Sequence, residues 1–207
     1  MKLVVLNPNT NTGMTDAVVL GLKPHLPATA SVQGLTAFHG CAVIDSRETF
    51  AMGAASAAQL LQDVPAHTTG ILLACFGDPG LRALRAATSI PLVGLAEAAV
   101  LQAHAQGLRF AIITAGANWV AMLQECVAGY GAAQNLVGVY ALAGNGAALR
   151  RDPAAFSAEV TRLAHQAKAD GAQALILGGA AFAGLHFDLP EGLHIIDPLQ
   201  AAAHALA

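Results

Sequence analysis

The chain has 207 residues, 55% of them hydrophobic and only 11% charged, with a formal net charge of −3 at neutral pH. That length permits one large domain or two small ones, and the composition supports a sizeable core and argues against disorder. The small negative charge, without a basic cluster, gives no footprint for nucleic acid. Three cysteines, Cys41, Cys75 and Cys126, show no repeated spacing, so neither a disulfide framework nor a zinc site is expected. The N-terminal apolar run is too short for a secretory signal. The longest apolar stretch, residues 174–185, falls short of the ~18 residues that cross a bilayer. A cytoplasmic protein without membrane contact is the expectation.

Taken in order, residues 2–6 form a β-rich run ended by Asn7 and Pro8. The loop 7–13 is dense in Asn and Thr, and a helix over 14–22 takes Thr10 or Thr12 as its cap. A polar loop between a strand end and a helix start suits an anion, or simply supplies turns and caps. Residues 30–35 read as a second strand, 36–44 as a loop and 45–61 as an Ala-rich helix. Residues 68–74 form a strand with the continuous apolar character of a centre buried on both faces. It ends at Cys75, and Gly77, Asp78, Pro79 and Gly80 then break into a turn before a helix over 81–88. Cys75 thus lies at the carboxyl end of a parallel strand, where open α/β sheets bind ligands. A helix N-terminus there is expected to lower its thiol pKa. The same position also suits a small buried hydrophobe.

Residues 90–93 form a strand and 97–106 a helix. Residues 109–113 open a second series: a polar loop over 114–118, a helix over 119–130, a strand over 136–139 and a turn region over 145–151. A helix over 153–169 begins at Asp152-Pro153. Strands over 173–177 and 194–196 and a helix over 198–206 complete the chain. Strands alternating with helices predict parallel sheets.

The two halves read as copies. ILLACFGDPGL at 71–81 lies against LILGGAAFAGL at 175–185, IPLVGLAEAA at 90–99 against LHIIDPLQAA at 193–202, and KLVVLNPNT at 2–10 against RFAIITAGA at 109–117. The expected architecture is therefore α/β, with two pseudo-symmetric lobes, each a four-stranded parallel sheet flanked by helices, and the active site in the cleft between them. The first lobe spans 1–98 and the second 99–190. Residues 191–207 supply the last strand of the second lobe and a helix packing back toward the first. In this picture Cys75 and the 178–180 turn approach one substrate from opposite sides.

Four stretches carry a resemblance over essentially the whole chain: LNPNTNTGMT at 6–15, LLACFGDPGL at 72–81, PLVGLAEAA at 91–99 and LGGAAFAGL at 177–185, with a weaker IDP at 196–198. The sequence resembles the aspartate/glutamate/hydantoin racemase superfamily, most closely its hydantoin and allantoin racemase branch. The resemblance implies a racemase or epimerase that needs no cofactor and no metal. Two cysteines, one per lobe, would exchange a Cα proton on a small-molecule carboxylate or imide. Cys75 matches the first cysteine. Asn9, Thr10 and Thr114 match substrate-holding positions. The backbone N–H groups of Phe76, Gly77, Ala180 and Ala181 match a site for an enolate-like oxygen. Gly179 stands where the second cysteine belongs, and neither Cys41 nor Cys126 aligns with it. Two alternatives follow: a single-cysteine decarboxylase of an arylmalonate-like diacid, protonating one face, and a binding protein without catalysis. A homo-oligomer is compatible with each. Other residues have both structural and functional readings. His186 could supply a proton, and Arg47 could meet a substrate carboxylate. His39 and Cys41 lie in a loop that could line the cleft. Cys126 reads as core, and Trp119 as a packing or lobe-interface residue.

Overall fold

The computed structural model describes residues 1–207. Strands β1 (Lys2–Asn7), β2 (Ser31–Thr36), β3 (Gly70–Leu73) and β4 (Leu92–Gly94) form one parallel sheet in the order β2-β1-β3-β4. Strands β5 (Phe110–Ala115), β6 (Leu136–Leu142), β7 (Ala174–Gly178) and β8 (His194–Ile196) form a second, in the order β6-β5-β7-β8. The repeat seen in the sequence is thus a repeat of topology. In each sheet the chain runs outward on one side of its first strand and then returns to the other side. The reversal points lie between β1 and β3 and between β5 and β7, where α/β sheets bind ligands. Their register sets Leu6 beside Leu73, and Thr114 beside Gly178.

Helices α1 (Thr12–Leu22), α2 (Arg47–Leu60), α3 (Leu81–Ala87) and α4 (Leu95–Ala105) belong to the first half. Helices α5 (Trp119–Gly129), α6 (Gly146–Arg151), α7 (Pro153–Ala169) and α8 (Pro198–Leu206) belong to the second. The region expected to be only a turn, 145–151, holds α6, which Asn145 caps by accepting the Ala148 N–H at 3.1 Å. Helix α1 is capped by Asn11 rather than Thr10 or Thr12, because the Asn11 side chain reaches the Met14 N–H. Strand β4 starts after Pro91, which lacks the N–H a ladder needs.

The two sheets share a core. Leu3, Val5 and Leu72 of the first pack in one continuous apolar cluster with Phe110, Ile112 and Ile176 of the second. Helices α4 and α8 pack on one another across the junction, and α8 also packs on α1, β3 and β4. Buried alanines on both helices, Ala98, Ala99 and Ala103 against Ala201, Ala202 and Ala203, let the two backbones approach closely. The Ala-rich composition therefore serves helix–helix contact at the lobe junction.

Phe110 is fully buried in the cluster that joins the lobes. Phe110→Ala should cost about 3–5 kcal/mol, read as a lowered denaturant midpoint in a single transition for both lobes.

Candidate active site

The first wall of the site is built on Asn7. This side chain is fully buried at the end of β1. Its amide nitrogen lies 3.0 Å from each of Asn9 Oδ1, the Asn11 carbonyl and Thr15 Oγ1, and its Oδ1 accepts the Asn9 N–H at 3.1 Å. Asn9 Oδ1 also accepts the Asn11 N–H at 2.9 Å. The amide oxygens of Asn9 and Asn11 are therefore engaged within the loop. Their amide nitrogens make no bond within the protein and remain available as donors.

Cys75 lies two residues beyond β3 and is buried. The Asp78 N–H donates to the Cys75 carbonyl at 2.9 Å and closes the turn. Asp78 has φ +56, the only positive φ at a residue other than glycine. Its carboxylate accepts the Ala96 N–H at 3.1 Å and the Glu97 N–H at 2.7 Å, so it serves as the missing cap of α4, whose own N-cap, Gly94, has no side chain. A Cβ at Gly94 would collide with this carboxyl group. The Tyr130 hydroxyl, from the second lobe, donates to Asp78 Oδ2 at 2.7 Å. Burial pushes the Asp78 carboxyl up to about 7, opposed by Tyr130 and the two backbone donors. Glu97 is itself paired with Arg85.

The opposing wall comes from β5 and β7. Thr114 is buried at the sheet's carboxyl end. Its hydroxyl has no partner within the protein, and no fully buried polar side-chain atom is left unpaired, so this hydroxyl opens to the cavity. After β7 the chain turns through Gly179, with φ +157, into a 3₁₀ turn over Ala180–Phe182. The Phe182 N–H donates to the Gly179 carbonyl at 2.9 Å. A Cβ at Gly179 would meet nothing closer than the Phe182 ring at 3.5 Å, but a side chain is disfavoured at this φ.

Between the walls lies a cavity of about 80 Å³. Cys75 and Gly179 both line it, together with Asn9, Phe76, Thr114, Ala180 and Ala181. Thr10 and Gly77 do not line it. The Thr10 N–H donates to the Cys41 carbonyl at 3.1 Å, and Gly77 packs under the Trp119 ring. The backbone N–H groups of Phe76, Ala180 and Ala181 have no acceptor within the protein. Asn11, Asp45, Trp119 and the first turn of α6 also line the cavity. Asp45 and the α6 turn carry no sequence signal, because only the fold brings their loops over the strand ends. Asp45 is the one charged side chain in the lining, and no cation faces it.

The expected lowering of the Cys75 pKa is not found. Burial pushes the thiol well above its ordinary value, and the charge of Asp78 adds to the rise. The thiol is therefore protonated at neutral pH. Desolvation outweighs the helix N-terminus because no charged donor faces the sulfur. Cys126 lies outside the cavity; its thiol donates to the Gly77 carbonyl at 3.6 Å and is pushed up to about 12 by burial. Arg47 pairs across the lobes with Glu125, at 2.9 Å through Nη1, rather than entering the cavity. Trp119 packs edge-on against Phe50 with centroids 6.2 Å apart, joining the lobes above the site. His39 and Cys41 are absent from the cavity wall, and His186 lines a different cavity. No group of three His, Cys, Asp or Glu side chains is arranged to hold a metal ion, and no helix is long and apolar enough to cross a membrane.

Comparison with known proteins identifies the fold and the family. The model of the Asp/Glu/Hydantoin racemase family matches residues 3–206. The chain belongs to the Asp/Glu/hydantoin racemase family. It is 30% identical to a hydantoin racemase of Rhizobium meliloti over 210 residues, covering 98% of this chain and 86% of the relative. It is 27% identical to a hydantoin racemase of Paenarthrobacter aurescens over 207 residues, covering 98% and 88%. An allantoin racemase from Klebsiella pneumoniae superposes with a TM-score of 0.89 at 26% identity, covering 100% of this chain and 86% of the other. The protein is thus an isomerase-family enzyme with the two-sheet racemase fold.

Because the folded protein holds the Asp78 proton more tightly than the unfolded chain does, the resulting stabilisation is complete at low pH and is lost as pH rises through about 7. The melting temperature should fall between about pH 4 and 7, from the ordinary carboxyl value to the raised one. Asp78→Asn should melt lower at pH 6 but lose less over the same interval, as calorimetry at several pH values would show.

Proposed function

We propose that this enzyme exchanges the Cα proton of a neutral, hydantoin-like cyclic imide, with Cys75 as its acid/base. One observation carries the reading: the Cys75 cavity offers amide, hydroxyl and backbone N–H donors and one carboxylate, but no cation. A substrate carboxylate would be desolvated there beside Asp45 without a counter-charge, which is costly. A ring of carbonyl and N–H groups finds partners of both kinds and brings no charge of its own.

In the forward step the ionised Cys75 sulfur takes the Cα proton, and the electron pair moves onto the neighbouring carbonyl oxygen. Unpaired N–H groups at Phe76, Ala180 and Ala181 stabilise the enolate that forms. The reverse step returns the proton from the thiol to the same face. Gly179 offers no proton on the other face, so water must supply one there. Exchange with retention therefore outruns racemisation. A second reading, loss of CO2 from a malonate-like diacid followed by one-face protonation, is favoured by Gly179 and by the protonated resting thiol, and opposed by the cation-free lining.

The test is nuclear magnetic resonance in deuterated water with hydantoins, allantoin, aspartate and arylmalonates. Exchange at C5 of a hydantoin ahead of loss of optical rotation supports the proposal. Equal rates would remove the one-face mechanism, CO2 release would establish the second reading, and binding without exchange would make this a binding protein. Cys75→Ala should lower exchange by about 10²–10⁴-fold with little change in melting temperature. Since the thiol must ionise before it abstracts, wild-type exchange should rise about tenfold per pH unit from pH 7 to 9; a flat profile would exclude Cys75 as the base.

A further inference from the structure

The internal repeat provides its own control. In the first lobe, Leu81 and Leu84 of α3 bury the face presented by Leu73 and Leu92. The counterparts of Leu73 and Leu92 in the aligned segments are Leu177 and Ile195. No helix covers them. After the 3₁₀ turn over Ala180–Phe182, the chain runs as an irregular segment to β8. Leu92 is only 4% exposed, whereas its counterpart Ile195 is 40% exposed. The segment arches over this face and leaves a chamber of about 280 Å³, walled by Leu177, Leu185, Phe187, Leu189, Ile195 and Leu199. Its polar side chains are His186 and Asp197, and Asp197 is engaged with the Leu199 N–H and with His25.

The chamber adjoins the Cys75 cavity. Gly179, Ala180 and Phe182 line both. A Cβ at Gly179 would sit 3.5 Å and 3.8 Å from two carbons of the Phe182 ring, so any side chain at 179 would be built onto this partition. With hydrogen there, the partition is the bare turn and one aromatic ring, itself packed edge-on against Phe187 with centroids 6.0 Å apart. At about 80 Å³ the Cys75 cavity has no space for a bulky group attached to the reacting ring. A dry apolar cavity of about 150 Å³ suffices for benzene.

We propose that this chamber receives an apolar substituent, aryl or branched alkyl, on the substrate's Cα, reached past Gly179 with Phe182 as the gate. The inference rests on the reading of Cys75 as acting on a hydantoin-like ring. It assigns position 179 a role in access in place of proton transfer. It also disfavours a ureido substituent, whose several polar groups would find only the His186 ring without a partner among apolar walls.

The experiment compares 5-benzylhydantoin, 5-methylhydantoin and allantoin, by C5 deuterium exchange with the wild-type protein and by calorimetric binding to Cys75→Ala. Leu185→Trp fills the chamber, and Ile195→Phe narrows it from an exposed position that tolerates change. Each should lower the benzyl-to-methyl ratio in kcat/KM and in affinity by about 10- to 100-fold. If the benzyl compound has no advantage over methyl in the wild type, or keeps it in both variants, the chamber is not a substituent site. Preferential benzyl binding that the variants abolish, without exchange of any hydantoin, would uphold the chamber and overturn the proposed chemistry. Binding of neither compound would overturn the chamber.

Discussion

The carboxylate of Asp78 is the constraint on which the site depends. It receives two N–H groups from the start of α4 and a hydroxyl from Tyr130 of the second half. Three parts of the molecule that are far apart in sequence meet on two oxygen atoms. The Asp78 backbone simultaneously closes the turn that follows Cys75. The left-handed backbone of Asp78 is tolerated because these bonds over-determine it. The Cys75 sulfur is thus fixed by a carboxylate outside the cavity, and the negative charge of that carboxylate also opposes ionisation of the sulfur.

The opposed sheets enclose a small cavity with few polar groups. Each reversal point contributes one turn with free N–H groups, and the shared core holds the turns face to face. The two turns are not equivalent. On the first lobe a side chain with a transferable proton stands at the strand end. On the second a glycine stands at the matching place, and the helix that should follow is missing. These two departures from symmetry occur within a few residues of one another and concern the same wall. The glycine in place of a side chain and the open chamber therefore belong to one wall of the second lobe.

The cavity's electrostatics follow from what the loops bring. Asn7, buried and saturated with bonds, turns the Asn/Thr-rich loop so that Asn9 and Asn11 keep donors free. Asp45 adds one negative charge. Two of the protein's ten Lys and Arg residues are paired elsewhere, Arg47 with Glu125 at the surface and Arg85 with Glu97 beside Asp78, and none of the ten lines the cavity.

Sequence alone determined the element order apart from α6, the parallel sheets, the internal repeat, the place of Cys75 at a strand end and the glycine opposite it. Those features are local, or recur at a fixed offset, so apolar runs, turn residues and motif similarity reveal them. Tertiary structure alone decided which polar groups share a cavity with the sulfur. Asn11, Asp45 and the α6 turn enter it, while Thr10, Gly77, His186 and Arg47 do not. It also decided the state of the thiol, because desolvation depends on everything packed around a group and outweighs the helix terminus that the sequence places beside it. The missing helix of the second lobe is legible in part, because Gly184, Pro190 and Gly192 interrupt residues 183–193, but only the packed fold shows the space left open beneath them.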